Sequence, residues 1–259
     1  MNNRLKNKIA LITGATSGMG KSCASELAKF GVNLIIAGRR ENLLTEVKET
    51  IEKEYNVNVL PIVLDVRDSK EVLKKLGNLP TEWKNIDILI NNAGLAAGSE
   101  KVYESYIEDI DAMIDTNVKG LLYVTKAIVP HMVERNAEGI IINLGSVAGN
   151  TAYAGGGVYC GSKAAVRYIS DGLRVDLVNT PIKVTNIEPG LVETEFSVVR
   201  YKGDEEKAKN VYKGIEALTP EDVAKTIVYI CNLPQNIQIP EIILTPNHQA
   251  DAIHKYFKK

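Results

Sequence analysis

The chain has 259 residues, of which 45% are hydrophobic, and it carries a formal net charge of −1 at pH 7. This length and composition suit one α/β domain with a large core, and the mixed charge without a basic block argues against a nucleic-acid-binding surface. Three dispersed cysteines without metal-ligand spacing, and no apolar run long enough for a signal peptide or a bilayer span, predict a cytoplasmic protein with no membrane partner.

Short apolar runs alternate with longer amphipathic segments along most of the chain. Seven runs bounded by Gly, Asn, Asp or Pro are predicted strands, at 9–13, 33–38, 59–65, 86–90, 139–145, 183–189 and 241–246. They are rich in Ile, Leu and Val without strict alternation, which is typical of strands buried on both faces. Helices are predicted at 21–31, 41–55 and 102–136, the last as two helices or as one bent near Gly120 or Pro130.

The alternation of strands and helices predicts the fold class. A β-α-β-α order requires right-handed crossovers, which place helices on both faces of a parallel sheet. We therefore expect a single domain over residues 1–259, an α/β doubly wound sheet of about seven parallel strands.

A glycine-rich loop, TGATSGMG at 13–20, follows the first predicted strand and opens the first helix. Gly14, Gly18 and Gly20 allow the backbone to turn sharply and to approach a phosphate at a helix N-terminus. With a second strand about twenty residues further on, the pattern predicts a Rossmann-type dinucleotide site. The pair Lys21-Ser22 follows, but the glycine spacing before it does not fit a Walker phosphate loop.

The second strand ends with AGRR at 37–40, where a site for NAD usually has an acidic residue that binds the ribose 2′-hydroxyl. Arg39 and Arg40 instead provide guanidinium groups suited to a 2′-phosphate, so the predicted cofactor is NADP(H). The alternative is that both arginines are solvated charges at the start of a helix.

Six motifs occur together and in order: TGATSGMG, NNAG at 91–94, Asn117, Ser146, Tyr159 with Lys163, and EPGLVET at 188–194. This set resembles the short-chain dehydrogenase/reductase family, from about Asn7 to the C-terminus. Within that family the segment 188–224 is similar to the NADP-dependent 3-hydroxy acid dehydrogenases, which act on serine and allo-threonine. The resemblance also implies a homotetramer built on long helices such as 102–136 and 157–179.

The resemblance implies the following cofactor-binding residues: Gly14, Ser17, Gly18, Met19, Gly20, Arg39, Arg40, Asp65, Val66, Asn92, Ala93, Gly94, Tyr159, Lys163, Pro189, Gly190, Val192 and Thr194. Asp65 is expected to bind the adenine amino group; the alternative is that it caps the next helix. Some NADP-binding members carry a basic residue in the glycine loop, where this chain has Thr16 and Ser17. Recognition of the 2′-phosphate then depends on Arg39 and Arg40, helped by Ser17.

The expected catalytic residues are Asn117, Ser146, Tyr159 and Lys163. Lys163 lies one helical turn after Tyr159, and an ammonium group together with a positive nicotinamide ring would lower the tyrosine pKa from its ordinary value of about 10. Ser146 would bind the substrate oxygen. Asn117 would hold a water molecule that links Lys163 to solvent, or would simply bridge backbone groups. The three histidines, His131, His248 and His254, lack the spacing of metal ligands, so no metal is expected.

The polar segment at about 191–218 is predicted to be a lid over the substrate. Within it Arg200 is the best candidate to bind a carboxylate, while Ser146 and Tyr159 hold the 3-hydroxyl group. Alternatively Arg200 is solvated, or it pairs with Asp204, Glu205 or Glu206. The predicted function is transfer of a hydride between NADP(H) and a small 3-hydroxy acid such as serine or allo-threonine. The alternatives are a 3-oxoacyl carrier-protein reductase, a broad carbonyl reductase and a non-catalytic dinucleotide sensor.

Overall fold

Seven parallel strands form one sheet in the computed structural model, which describes residues 3–258. The strands are β1 (Ile9–Thr13), β2 (Asn33–Gly38), β3 (Val59–Val63), β4 (Ile88–Asn91), β5 (Gly139–Leu144), β6 (Ile182–Pro189) and β7 (Glu241–Leu244). Their order is β3-β2-β1-β4-β5-β6-β7, and every neighbouring pair is parallel. The direction of winding therefore reverses between β1 and β4, and the predicted seven-stranded parallel sheet is confirmed.

Helices cover both faces of this sheet. In the described part of the chain they are α1 (Gly18–Ala28), α2 (Glu41–Glu54), α3 (Ser69–Gly77), α4 (Ile107–Ile114), α5 (Leu121–Arg135), α6 (Gly157–Asp176), α7 (Phe196–Arg200), α8 (Glu205–Asn210) and α9 (Pro220–Cys231). Successive strand residues point to opposite faces, so that Ile12 packs with α1, α2 and α9, whereas Leu11 packs with α3 and α5. The predicted doubly wound arrangement is confirmed.

Two element boundaries differ from the prediction for identifiable reasons. Helix α1 begins at Gly18 rather than at residue 21, because the end of the glycine loop forms its first turn. Strand β3 ends at Val63 rather than at residue 65, because the Asp65 carboxylate accepts the backbone N–H of Arg67 and starts a turn. Pro61 lies inside β3, which it can do because β3 is an edge strand that needs no hydrogen bond on its outer side.

The segment predicted as one long helix at 102–136 is built from several pieces. A 3-10 turn at Val102–Glu104 precedes α4, and a π-helical turn at Asp115–Gly120 joins α4 to α5. The bend expected near Gly120 is therefore a widened helical turn, a feature frequent at functional sites. Pro130 lies within α5 without ending it.

The segment predicted as a lid leaves the body of the domain and returns to it at one point. Val192 and Leu218 form a parallel bridge, and the Leu218 N–H donates to the Leu191 carbonyl at 2.9 Å. Helices α7 and α8 lie within the resulting loop. The segment ends sharply because Thr219 and Asp222 form a capping box at the start of α9. Within residues 3–258 no helix is both long enough and apolar enough to cross a lipid bilayer.

Candidate active site

A cavity of about 830 Å³ lies at the carboxyl ends of the strands, where the winding reverses between β1 and β4. Ligands of open α/β sheets bind at this position. The glycine loop and the ends of β2, β4, β5 and β6 form one part of its wall, and the segment 191–218 and the C-terminal residues form the other. All of the predicted cofactor residues except Gly20 line this cavity.

The glycine loop has the backbone shape that the sequence predicts. Gly14 and Gly18 adopt positive φ angles of 66° and 51°, and a Cβ atom on Gly14 would lie 2.9 Å from the side-chain nitrogen of Asn92. Asn92 donates to the carbonyls of Thr13 and Gly14, which fixes the loop. Gly20 packs behind the loop against Gly14 and Asn92, so it shapes the wall without lining it.

The end of β2 carries the two arginines. Arg40 donates to the hydroxyls of Thr16 and Ser17 at 2.9 and 2.8 Å and lies 3.5 Å from the Glu195 carboxylate. The Ser17 side chain accepts from Arg40 and makes no capping hydrogen bond to the first amides of α1. Arg39 also lines the cavity and forms no ion pair with any described residue. This wall of the cavity is suited to anionic groups.

Asp65 follows β3 and lines the cavity, but Arg67 binds its carboxylate at 2.6 Å and lowers the pKa of that group. The helix after β3 is capped by Asp68, which accepts from the backbone of Lys70 and Glu71. The alternative interpretation of Asp65 as a helix cap is therefore wrong. Its predicted contact with adenine would have to share the carboxylate with Arg67.

Tyr159 and Lys163 lie one turn apart on α6, with the ammonium nitrogen 5.9 Å from the centre of the tyrosine ring. Both side chains line the cavity and are buried. Lys163 donates to the Leu144 carbonyl at 2.7 Å, and burial lowers the pKa of Lys163 to about 8. Burial raises the pKa of Tyr159, against the smaller opposing effects of a Ser146 hydrogen bond and the charge of Arg200. The protein alone therefore favours the protonated phenol, and the expected lowering of this pKa also requires the positive nicotinamide ring.

Ser146 follows β5 and faces the same part of the cavity. Its hydroxyl accepts the N–H of Ala148 at 3.2 Å and donates weakly to the Pro189 carbonyl at 3.5 Å. Pro189 is the last residue of β6, and together with Gly190 and Thr194 it also lines the cavity. The structure thus brings Ser146, Tyr159 and Lys163 to one region of the cavity wall.

Asn117 lies in the π-helical turn and does not line the cavity. Its side-chain nitrogen donates to the Leu95 carbonyl and to the Ser162 hydroxyl, and its oxygen accepts the Leu95 N–H. Both amide hydrogens are therefore used to bridge the segment after β4 to α6. A Cβ atom on Gly94 would lie 3.2 Å from the Asn117 oxygen and 3.4 Å from the Lys163 nitrogen, so the two side chains meet at Gly94.

Arg200 lines the cavity from α7. Its guanidinium donates to the Tyr153 hydroxyl at 2.9 Å and to the carbonyls of Gly98 and Gly155 at 3.3 and 3.4 Å. It also lies over the Tyr153 ring, 5.4 Å from its centre. Among the described residues it forms no ion pair, so the alternative of pairing with Asp204, Glu205 or Glu206 is wrong. Arg200 instead ties α7 to two loops of the domain body.

Several residues of the cavity wall were not predicted from the sequence: Tyr153, Phe196, Tyr212, Gln249 and Lys255. Phe196 packs edge-on against Tyr159, with 5.7 Å between ring centres. Tyr212 binds the Ser197 hydroxyl at 2.7 Å. These residues follow no local motif, because each reaches the site through contacts with distant segments. No cluster of His, Cys, Asp and Glu among residues 3–258 has the arrangement of a metal site.

Comparisons with known proteins agree with this geometry. Residues 8–205 match the family model described as short chain dehydrogenase. The NADP-dependent 3-hydroxy acid dehydrogenase of Schizosaccharomyces pombe (strain 972 / ATCC 24843) is 46% identical over 257 residues, which cover 99% of each chain. The protein of that description from Escherichia coli (strain K12) is 47% identical over 245 residues, covering 94% of this chain and 97% of the relative.

A solved structure described as the closed form of serine dehydrogenase complexed with NADP+ superimposes with a TM-score of 0.89 at 46% identity. The match covers 97% of this chain and 100% of that one. A serine dehydrogenase from Escherichia coli superimposes with a TM-score of 0.80 at 42% identity, covering 93% and 99% of the two chains. By the extent of these matches and by its fold, the chain belongs to the short-chain dehydrogenase family.

Proposed function

We propose that the protein is an NADP(H)-dependent oxidoreductase that acts on the 3-hydroxyl group of a small hydroxy acid, such as serine or allo-threonine, or on the corresponding oxo acid. The observation that carries this proposal is the presence of two sets of residues in one cavity. Ser146, Tyr159 and Lys163 lie in one part of its wall, and Arg39 and Arg40 lie in another. The names of the relatives support the same cofactor and substrate class.

The glycine loop and the end of β2 fit a phosphorylated dinucleotide. The uncapped start of α1 offers backbone amides to a pyrophosphate, and Gly14 and Gly18 keep side chains away from it. Arg39 and Arg40 stand where an acidic residue would be needed for NAD, and they would hold the 2′-phosphate of NADP(H). When bound, this cofactor supplies or accepts a hydride.

Tyr159 is proposed as the acid that protonates the substrate oxygen during reduction, and as the base that removes the proton during oxidation. Ser146 would hold the same oxygen and stabilise the charge that develops on it. The ammonium of Lys163 would favour the tyrosinate and bind the ribose hydroxyls. Since burial lowers the pKa of Lys163 to about 8, this lysine is also able to exchange a proton near neutral pH.

Asn117 is proposed to support a proton path beside Lys163. Because both of its amide hydrogens are used, a water molecule there would donate to its side-chain oxygen or bind backbone groups of the π-helical turn. The lid interpretation of residues 191–218 is also part of the proposal. Arg200, on α7, would help to orient the substrate carboxylate. It would do so through the guanidinium N–H groups that do not bind Tyr153, Gly98 or Gly155.

We also propose a homotetramer in the cytoplasm. Exposed apolar side chains on α4, α5 and α6, among them Ile107, Leu122, Tyr168 and Val175, support a subunit interface. All three cysteines are free and buried, which fits a reducing compartment. Light scattering of the purified protein tests the assembly.

A substrate panel tests the proposed function. NADP+ reduction is measured with L-serine, D-serine, allo-threonine and 3-hydroxypropanoate, each compared with its methyl ester, and NADPH oxidation is measured with small ketones and an acyl thioester. We expect kcat/KM for the acids to exceed that for the esters at least about tenfold. The carboxylate of an acid would pair with a cation of the cavity wall, which an ester cannot do, and a hydrogen bond to a charged group contributes about 1.5–3 kcal/mol. Higher rates with ketones or thioesters would indicate a carbonyl or acyl reductase instead. Cofactor binding without turnover of any compound would indicate a sensor.

A further inference from the structure

The C-terminal residues 246–258, which we call the tail, form part of the cavity wall. Gln249 is buried, and its side-chain oxygen accepts the Leu191 N–H at 2.8 Å, while its nitrogen donates to the Asp251 carbonyl. At the other end of the tail, the Lys258 N–H donates to the Gly214 carbonyl at 2.6 Å. The tail is therefore attached to both ends of the segment 191–218.

Lys255 lies between these two attachments and lines the cavity. Its backbone forms an antiparallel bridge with Gln249, which holds it in place. The side chain is half-buried, and it forms no ion pair or hydrogen bond with any residue among 3–258. Burial and the nearby charge of Arg200 lower the pKa of Lys255, so the two cations lie close enough to repel each other.

The surroundings of Lys255 do not neutralise this charge. Asp251 acts on it favourably, but the Asp251 carboxylate accepts from His254 and from two backbone N–H groups. The carboxylates that line the cavity are Asp65, which is paired with Arg67, and Glu195 of the segment 191–218, which is paired with Arg40 at the end of β2. The cavity wall also carries the cations Lys163, Arg200 and Lys255, and neither lining carboxylate forms an ion pair with any of them.

We propose that Lys255 and Arg200 together bind the carboxylate of the substrate, and that Lys255 supplies the ion pair that selects acids over uncharged analogues. This inference rests on the proposed function. Arg200 already donates hydrogen bonds to Tyr153, Gly98 and Gly155, and these bonds hold α7 against the domain body. Lys255 has its ammonium group available. An anion placed between the two cations removes their repulsion and restores the charge balance of this end of the cavity.

The test compares Lys255→Met with Lys258→Met, which removes the same charge from an exposed side chain of the tail whose backbone alone contacts Gly214. For each variant, kcat and KM are measured with L-serine and with L-serine methyl ester, and NADPH affinity is measured by fluorescence. We expect Lys255→Met to raise the KM for serine at least about tenfold. Its kcat/KM for the ester and its NADPH affinity should stay within about twofold of wild type. Lys258→Met should behave as wild type, and Lys255→Arg should retain the preference for serine.

The outcomes separate this inference from the proposed function. If wild-type enzyme does not distinguish serine from its ester, the proposed substrate class is wrong. If wild type distinguishes them and Lys255→Met does so equally well, only the role of Lys255 is overturned. Equal losses on both substrates would show that Lys255 serves the folding of the tail, which also overturns it. Should Lys255→Met not fold, Lys255→Gln is measured by the same ratio.

Discussion

The two parts of the cavity wall are built in different ways. The cofactor half, made of the glycine loop and the ends of β1 to β4, consists of short motifs at junctions between a strand and a helix. The substrate half consists of the segment 191–218, the tail and two loops that Arg200 reaches across 102 and 45 residues of sequence. The parallel sheet determines the first half, whereas side-chain contacts between distant segments determine the second.

The halves differ in charge as well as in construction. In the cofactor half the Asp65 carboxylate is paired with Arg67, Arg40 is paired with Glu195 of the segment 191–218, and Arg39 lines the cavity without an ion pair among the described residues. In the substrate half Arg200 and Lys255 act on each other as like charges, and neither forms an ion pair with a described residue. The comparison shows that residues at strand ends place the charges of the cofactor half, whereas residues of peripheral segments place those of the substrate half.

The largest effect is expected where the two halves meet, at Tyr159. Tyr159→Phe keeps the ring that packs against Phe196 and removes only the proton donor. Turnover should fall about a thousandfold, as is typical for loss of a general acid. NADPH affinity, measured by fluorescence titration, should change less than about threefold. Near-normal turnover would show that another group transfers the proton.

The next effect should be confined to the cofactor half. Replacing both Arg39 and Arg40 with Ala removes the charged donors expected to bind the 2′-phosphate, and each such bond contributes about 1.5–3 kcal/mol. Affinity for NADP(H) should weaken about a hundredfold, and affinity for NAD(H) should change by less than about threefold. Calorimetric titration with both cofactors checks this. A wild-type enzyme that binds NAD(H) as tightly as NADP(H) would contradict it.

The lowered pKa of Lys163 should make the free energy of unfolding depend on pH. Its folded pKa is about 8, below the unfolded value of about 10.4. Between these values the unfolded chain holds the proton and the folded chain does not, so raising the pH favours folding. Relative to Lys163→Met, wild type should gain about 2 kcal/mol in free energy of unfolding from pH 8 to pH 10. Urea denaturation of both proteins measures the difference. A constant difference would mean that Lys163 stays protonated in the folded state.

The smallest effect should be confined to the substrate half. Gln249→Ala leaves the partly buried Leu191 N–H without its acceptor and loosens the tail. We expect the KM for serine to rise about fivefold to tenfold, which corresponds to loss of one net hydrogen bond. NADPH affinity should remain within about twofold of wild type. Equal weakening of serine and NADPH binding would mean that the two halves are not independent.

The fold and the cofactor half were predictable because local patterns determine them. Apolar runs placed the seven strands within about two residues, and the arginines and glycines occupy fixed positions after β1 and β2. Tyr159 and Lys163 were predictable as a pair because helical spacing puts them on one face. The pKa of Tyr159 was not, since burial depends on Phe196 and other residues distant in sequence.

The rest of the site depends on contacts between residues that are distant in sequence, which no local pattern predicts. Gln249 meets Leu191 across 58 residues, and the tail reaches Gly214 only after the chain has passed through α9 and β7. Asn117 could be recognised by its position, but its use of both amide hydrogens follows from the π-helical turn. Lys255, near the end of the chain, looks like any surface lysine until the tail folds back over the cavity.

The burial of all three cysteines has a practical consequence. Burial raises the pKa of Cys23, Cys160 and Cys231, so little reactive thiolate forms at neutral pH. We therefore expect the native chain to react only slowly with maleimide reagents. A cysteine introduced at the exposed Lys209 on α8 would be the one readily labelled thiol among the described residues. A fluorophore attached there would report whether the segment 191–218 moves when cofactor is added, with the native cysteines left in place.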